Sequence, residues 1–315
     1  MKVAWLFPGQ GAQEVGMGKA IAEVSPAARE VFERADAALG EPLSRLCFEG
    51  PLEDLTLTAN TQPALVATST AIVAALRERF PDLAPPACAA GHSLGEYSAL
   101  VAAGALSLED AVRLCRVRGK AMQDAVPPGE GGMAAAMGID PGAIRALCDE
   151  VAEGDVLGPA NFNGPGQIVI AGHAGAIERA RARITERGGK AIVLKVSAPF
   201  HCALMRHAAE RLAPELAAVN VGKPAFPVVA NVDGAPNADP DRVRELLVRQ
   251  IDGPVEWMKS IERMAEDGVT HALELGPGKV LAGLCKRITK RITILNVSGP
   301  ESLDKVPGFL AGEQA

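Results

Sequence analysis

Ala87-Cys88-Ala89-Ala90-Gly91-His92-Ser93-Leu94-Gly95-Glu96-Tyr97-Ser98-Ala99-Leu100-Val101-Ala102-Ala103 is the stretch on which the fold turns. A short apolar run enters a G-x-S-x-G pentapeptide and emerges into a second apolar stretch, the order of strand, sharp turn and helix. Such a corner holds the Ser93 hydroxyl exposed at the end of a sheet, as a candidate nucleophile. Gly91 suits the positive φ of a tight turn, and Gly95 lets the new helix come close to neighbouring backbone. The plainer alternative at this junction is a serine N-cap.

Upstream, Val3 to Phe7 reads as a buried strand broken by Pro8-Gly9-Gln10-Gly11, a loop without the Gly-Lys-Ser/Thr ending of a phosphate-binding turn. Helices are expected at 26–39, at 61–79 with Pro63 near the start, and from Ser107, whose S-x-x-acid pattern opens a helix to about Ala125. Arg118 and Met122 share a face of that helix. Then the pattern becomes strand 133–139, helix 141–151, strands 156–162 and 167–171, helix 174–187 and strand 191–196. That is the βαββαβ order of a ferredoxin-like domain. Helices at 204–219, 243–250, 255–267 and 279–289 follow, with strands at 227–231 and 271–274, and residues past Gly299 read as a surface tail.

The expected fold is therefore α/β. A large α/β-hydrolase-like domain with a mostly parallel sheet takes residues 1–128 and 198–315. A small ferredoxin-like domain, 129–197, is inserted between Pro127-Pro128-Gly129 and Ser197-Ala198-Pro199.

Over 315 residues the net charge is −6, with 48% hydrophobic and 3% aromatic residues. The core is thus aliphatic, and the acidic balance argues against general nucleic-acid binding. Met1 to Phe7 runs straight into Pro8-Gly9, too short for a signal peptide, and no apolar run of about 18 residues occurs. Six cysteines without a C-x-x-C pair read as reduced thiols of a cytoplasmic protein with no membrane contact. The histidines and cysteines lack zinc spacings, so no metal is expected.

A serine nucleophile needs a base, and there are five histidines. His92 adjoins Ser93 and supports the turn, His173 opens a helix and His271 a strand. His201, on the irregular segment re-entering the large domain, is the candidate base, with His207 the second choice. The amide of Leu94 is the expected first oxyanion donor, and the loop around Gln10 the source of a second. No Asp or Glu stands out as a third triad member.

Phe7-Pro8-Gly9-Gln10-Gly11-Ala12-Gln13, Gly91 to Tyr97, Val117-Arg118-Gly119-Lys120-Ala121-Met122-Gln123, Pro199-Phe200-His201, Gln250 with Pro254-Val255-Glu256-Trp257, and Glu274 to Leu281 together resemble the malonyl-CoA:acyl carrier protein transacylases. The resemblance runs in order from Val3 to about Val297. It implies that Ser93 carries the acyl group, that His201 is its base, and that Gln10 and the amide of Leu94 form the oxyanion hole. Arg118 would bind the malonyl carboxylate by a bidentate fork and Gln250 would orient His201. Phe200 beside the base looks like the malonyl-selecting form; Met122 and Met133 either line the same pocket or are plain core.

The implied partners are malonyl-CoA, as substrate with no cofactor, and an acidic acyl carrier protein met by Lys190, Lys286 and Arg287. Those cations could equally be a solvated face. The expected state is a monomer. The same site could serve a trans-acting acyltransferase of polyketide synthesis or, less well, a serine hydrolase or thioesterase.

Overall fold

The computed structural model describes residues 1–312. Ten strands occur: β1 (Val3–Phe7), β2 (Cys88–Gly91), β3 (Gly131–Met137), β4 (Leu157–Gly164), β5 (Gln167–His173), β6 (Lys190–Val193), β7 (Val228–Val229), β8 (Pro236–Asn237), β9 (His271–Leu275) and β10 (Thr293–Val297). They form two sheets, of order β10-β9-β1-β2-β7-β8 and β4-β5-β3-β6.

The six-stranded sheet is parallel except at β8. Both its faces are covered, which is why β1 is an unbroken apolar run rather than an alternating one. Trp5 and Phe7 point into one apolar layer with helices Pro26–Leu39, Thr58–Arg79 and Leu108–Asp124. Ala4 and Leu6 point into the other, with Trp257, Ile261 and Leu284. Thr58–Arg79 is buried nearly all round, as its lack of an amphipathic pattern requires. It starts three residues before the expected Thr61, so Pro63 lies inside it. Proline cannot donate to the carbonyl of Ala59, and Arg116 Nη1 donates to that oxygen instead, at 2.8 Å.

In the four-stranded sheet every neighbouring pair is antiparallel. Its elements follow the β-α-β-β-α-β order, with helices Pro141–Val151 and Ala174–Glu186 on one face. Ala134, Ala136, Ile168 and Ile170 pack beneath those helices, while the alternate residues Met133, Val169 and Ala171 face the large core. The β4 edge is stitched to the larger body through Asn161 and Val255: Phe162 N donates to Val255 O, and Val255 N to Ala160 O.

Two expectations fail at the C-terminal end. β10 was not expected, and it extends the large sheet in parallel beside β9. Residues past Gly299 are no surface tail up to Gly312: helices Pro300–Leu303 and Val306–Ala311 bury Leu303, Val306 and Phe309, an apolar stripe three residues apart. Residues 313–315 of that expected tail lie outside the described residues. No helix among the described residues is long and apolar enough to cross a membrane.

Candidate active site

β2 ends at Gly91, and helix Gly95–Ala102 begins four residues later. The positive φ of this corner belongs to Ser93 itself, at 52°, and not to Gly91 as expected. Gly91 is required for a different reason, since a Cβ there would lie 1.9 Å from the carbonyl of Gly95. A Cβ on Gly95 would lie 2.3 Å from the carbonyl oxygen of Phe7. The two glycines let the chain fold back on itself and against β1, and the serine takes the strain, of about 1–2 kcal/mol.

His201 precedes the short 3₁₀ turn Ala203–Met205 and is the second residue of the site held at positive φ, 60°. Its Nε2 is 2.7 Å from Ser93 Oγ and its Nδ1 2.8 Å from the main-chain oxygen of Gln250. A carbonyl only accepts, so Nδ1 carries the ring proton and Nε2 is free to accept from the serine hydroxyl. Burial first, and then the charge of Arg118, lower the imidazole from 6.5 to about 3, which keeps it neutral. The expected orienting role of Gln250 thus falls to its backbone carbonyl; its side chain hydrogen-bonds Arg118, Ser93 O and Glu96 instead. His207, the second choice, is exposed and pairs with Glu210.

The guanidinium of Arg118 is 1% exposed. Nη1 donates to Gln62 Oε1 (2.7 Å), and Nη2 to Gln250 Oε1 (2.8 Å) and Ser93 Oγ (3.0 Å). Its Nε has no partner among the described residues, and Cζ lies 5.7 Å from the ring centre of Tyr97. All of its polar partners are neutral oxygens. A buried cation without a contacting anion is a site prepared for one.

Glu96 and Asn231, which the sequence reading missed, complete a network under the elbow. Glu96 Oε2 accepts from Gln250 Nε2 (2.8 Å) and from the amide of Asn231 (3.0 Å). Asn231 Oδ1 accepts from the amide of Ser93, and its Nδ2 donates to Gly91 O, both at 2.7 Å. Burial raises the Glu96 carboxyl from 4.5 to about 7. An acid in the first turn of a buried, otherwise uncharged helix after the elbow was the available signal for Glu96; Asn231 offered none.

Leu94 and Gln10 have main-chain N–H groups with no acceptor among the described residues. The Gln10 side chain is tied to Thr58 Oγ1 at 3.2 Å, so its backbone is the free donor. Gln10 and Ser93, the residue before Leu94, border a cavity of about 330 Å³, which Met122, Met133, Phe200, Leu194 and Val196 also line. His92 lines it too and reaches across to Asn163 of β4, Nε2 to Oδ1 2.8 Å. Lys190 opens β6, and Lys286 and Arg287 close helix Val280–Ile288; all three are exposed and lie outside the cavity lining. Among the described residues no group of three or more His, Cys, Asp and Glu side chains could hold a metal ion.

A strained serine against a neutral imidazole, beside two free amides, has the parts for acyl transfer through oxygen within an α/β protein. The acyl transferase domain matches residues 4–300, and the chain belongs to that family. It is 50% identical over 301 residues to the malonyl CoA-acyl carrier protein transacylase of Escherichia coli K12, covering 95% of this chain and 97% of that one. An acyl carrier protein S-malonyltransferase from Vibrio cholerae superposes with TM-score 0.94 at 46% identity, covering 97% and 100% of the two chains. A malonyl-transacylase solved in complex with a type II PKS acyl-carrier protein gives 0.93 at 44%, covering 97% and 98%.

Proposed function

We propose that this acyltransferase moves malonyl from malonyl-CoA to the phosphopantetheine thiol of an acyl carrier protein in fatty-acid synthesis, through an ester on Ser93. The observation that carries the reading is Arg118, a buried guanidinium without an anion, donating to the same hydroxyl that faces His201. A malonyl group needs both: a nucleophile for its thioester carbon and a cation for its free carboxylate.

His201 Nε2 takes the hydroxyl proton as Ser93 Oγ attacks the thioester, and the amides of Leu94 and Gln10 receive the charge that develops on the carbonyl oxygen. Collapse expels the CoA thiolate, protonated by the imidazolium. In the second half His201 takes the proton of the carrier thiol, which attacks the serine ester and returns Ser93. The Gln250 carbonyl holds the imidazole tautomer through both halves. Phe200, Met122 and Met133 crowd the acyl pocket against an α-branch. Lys190, Lys286 and Arg287 attract the acidic carrier from outside. No metal or cofactor enters the scheme.

The same reading takes the body of 1–128 and 198–315 as α/β-hydrolase-like and 129–197 as an inserted ferredoxin-like domain, which the strand order β4-β5-β3-β6 supports. The reading takes the protein as a monomer. Six buried free cysteines favour the reducing cytoplasm.

Intact-mass spectrometry after mixing with malonyl-CoA, methylmalonyl-CoA or acetyl-CoA tests this. The expected result is a malonyl adduct, absent from Ser93→Ala and discharged by the thiol-bearing carrier protein. Release of free malonate with no adduct and no transfer would make the protein a hydrolase.

A further inference from the structure

Glu96 is a buried carboxyl that the transfer scheme does not use, and it meets neither the base nor the cavity lining. It does meet both halves of the site at one atom. Oε2 accepts from Gln250 Nε2, whose other amide atom faces Arg118, and from the amide of Asn231, whose side chain holds the Ser93 and Gly91 backbone.

A glutamine amide can sit either way round, and here the two ways differ sharply. As found, Gln250 Nε2 gives its hydrogens to Glu96 Oε2 and Ser93 O, and Oε1 accepts from Arg118 Nη2. Turned over, its oxygen would face two acceptors and its NH₂ would face a guanidinium donor, leaving buried polar groups unpaired. Without the Glu96 acceptor, only Ser93 O and the Arg118 donor would resist that turn, and one hydrogen of Nε2 would be left unpaired. Arg118 reaches Ser93 Oγ through the same Nη2 that Gln250 Oε1 holds, so the amide sets where the cation stands relative to the nucleophile.

Resting on the proposed malonyl transfer, we infer that Glu96 is a positioning residue for acyl selection, locking the Gln250 amide so that Arg118 stands at a fixed distance from Ser93 for a carboxylated acyl group. The role belongs to an acceptor oxygen and not to a charge, because both bonds fall on one oxygen that an amide could replace. An acetyl group, with no carboxylate to seat, is affected only through the Asn231 branch under the elbow.

Steady-state transfer with malonyl-CoA and acetyl-CoA is compared for the wild type, Glu96→Met, which keeps the length without the acceptor, and Glu96→Gln, which keeps an acceptor without the charge. Glu96→Met is expected to lower the malonyl-to-acetyl ratio of kcat/KM by about tenfold, chiefly through KM for malonyl-CoA, and Glu96→Gln to restore it. A wild-type ratio in Glu96→Met, or a Glu96→Gln as impaired as Glu96→Met, overturns the inference. If Glu96→Met is unfolded by circular dichroism, Glu96→Asp decides: it keeps the charge but withdraws the oxygen by one methylene. It should lose part of the malonyl preference, with acetyl turnover falling less than malonyl turnover, and an unchanged ratio counts against the inference. Absence of a malonyl adduct on wild-type Ser93 would instead bring down the functional reading beneath it.

Discussion

The wall of the cavity built from the large sheet and its helices carries Ser93, Arg118 and Gln62, with Gln250 and Glu96 behind them, whereas the small sheet presents Met133, Val169, Asn161 and Asn163. The first wall holds charge and strain: a guanidinium 1% exposed and, at the elbow, a serine at φ 52°. The second is uncharged and set by side-chain volume. A buried charge needs fixed acceptors for its donors, and the amides of Gln62 and Gln250 that accept from Arg118 Nη1 and Nη2 are themselves buried. Shape needs no such network, and the small sheet contributes to it beside Met122 and Phe200 of the large body, to which its edge is tied through Val255 and through His92 on Asn163.

The largest effect that would test this contrast is loss of the base. His201→Ala should slow acylation of Ser93 by about a thousandfold in a quenched single turnover, with the fold retained. In the wild type, burial and Arg118 hold the free-enzyme imidazole at about 3, below the ordinary 6.5. The neutral, proton-accepting form therefore persists as the pH falls through 6.5, and kcat/KM should stay level there. An acid limb near 6.5 would show that the site is less sealed than its geometry implies.

Next comes Arg118→Ala, expected to lower kcat/KM for malonyl-CoA by about a hundredfold while leaving acetyl-CoA little affected. Equal losses with both would make the arginine structural and erase the distinction between the walls. On the other wall, Met133→Ala should shift the preference toward methylmalonyl-CoA by about tenfold, with malonyl turnover kept, since one methyl is worth about 1–3 kcal/mol in such pockets and this value lies near the lower end of that range. A collapse of malonyl turnover would place chemistry on the shape wall. The smallest expected effect lies outside both walls. Reversing charge at Lys286 and Arg287 should raise KM for carrier protein about threefold at low salt, fading at high salt, with self-acylation unchanged.

Local pattern located most elements, and helices Pro26–Leu39 and Pro141–Val151 lie where their proline starts and apolar spacing put them. β10 and the two C-terminal helices were missed because their stability comes from docking, β10 on β9 and Phe309 on His271. At the site, Ser93 and His201 could be nominated by residue type and context, and Arg118 through the family resemblance. The part Gln250 plays could not, since a side chain and a main-chain oxygen of the same residue serve different neighbours.

By itself, the sequence determined the elbow, the βαββαβ order and the chemical kinds of residue on hand, because strand and helix periods and turn residues act over a few neighbours. Only the tertiary structure decided that residues 108 positions apart meet as Ser93 and His201, that residues 132 apart meet as Arg118 and Gln250, and that Glu96 underlies both. Those meetings follow from sheet order and from burial of polar groups that must find partners, which no local window of sequence contains.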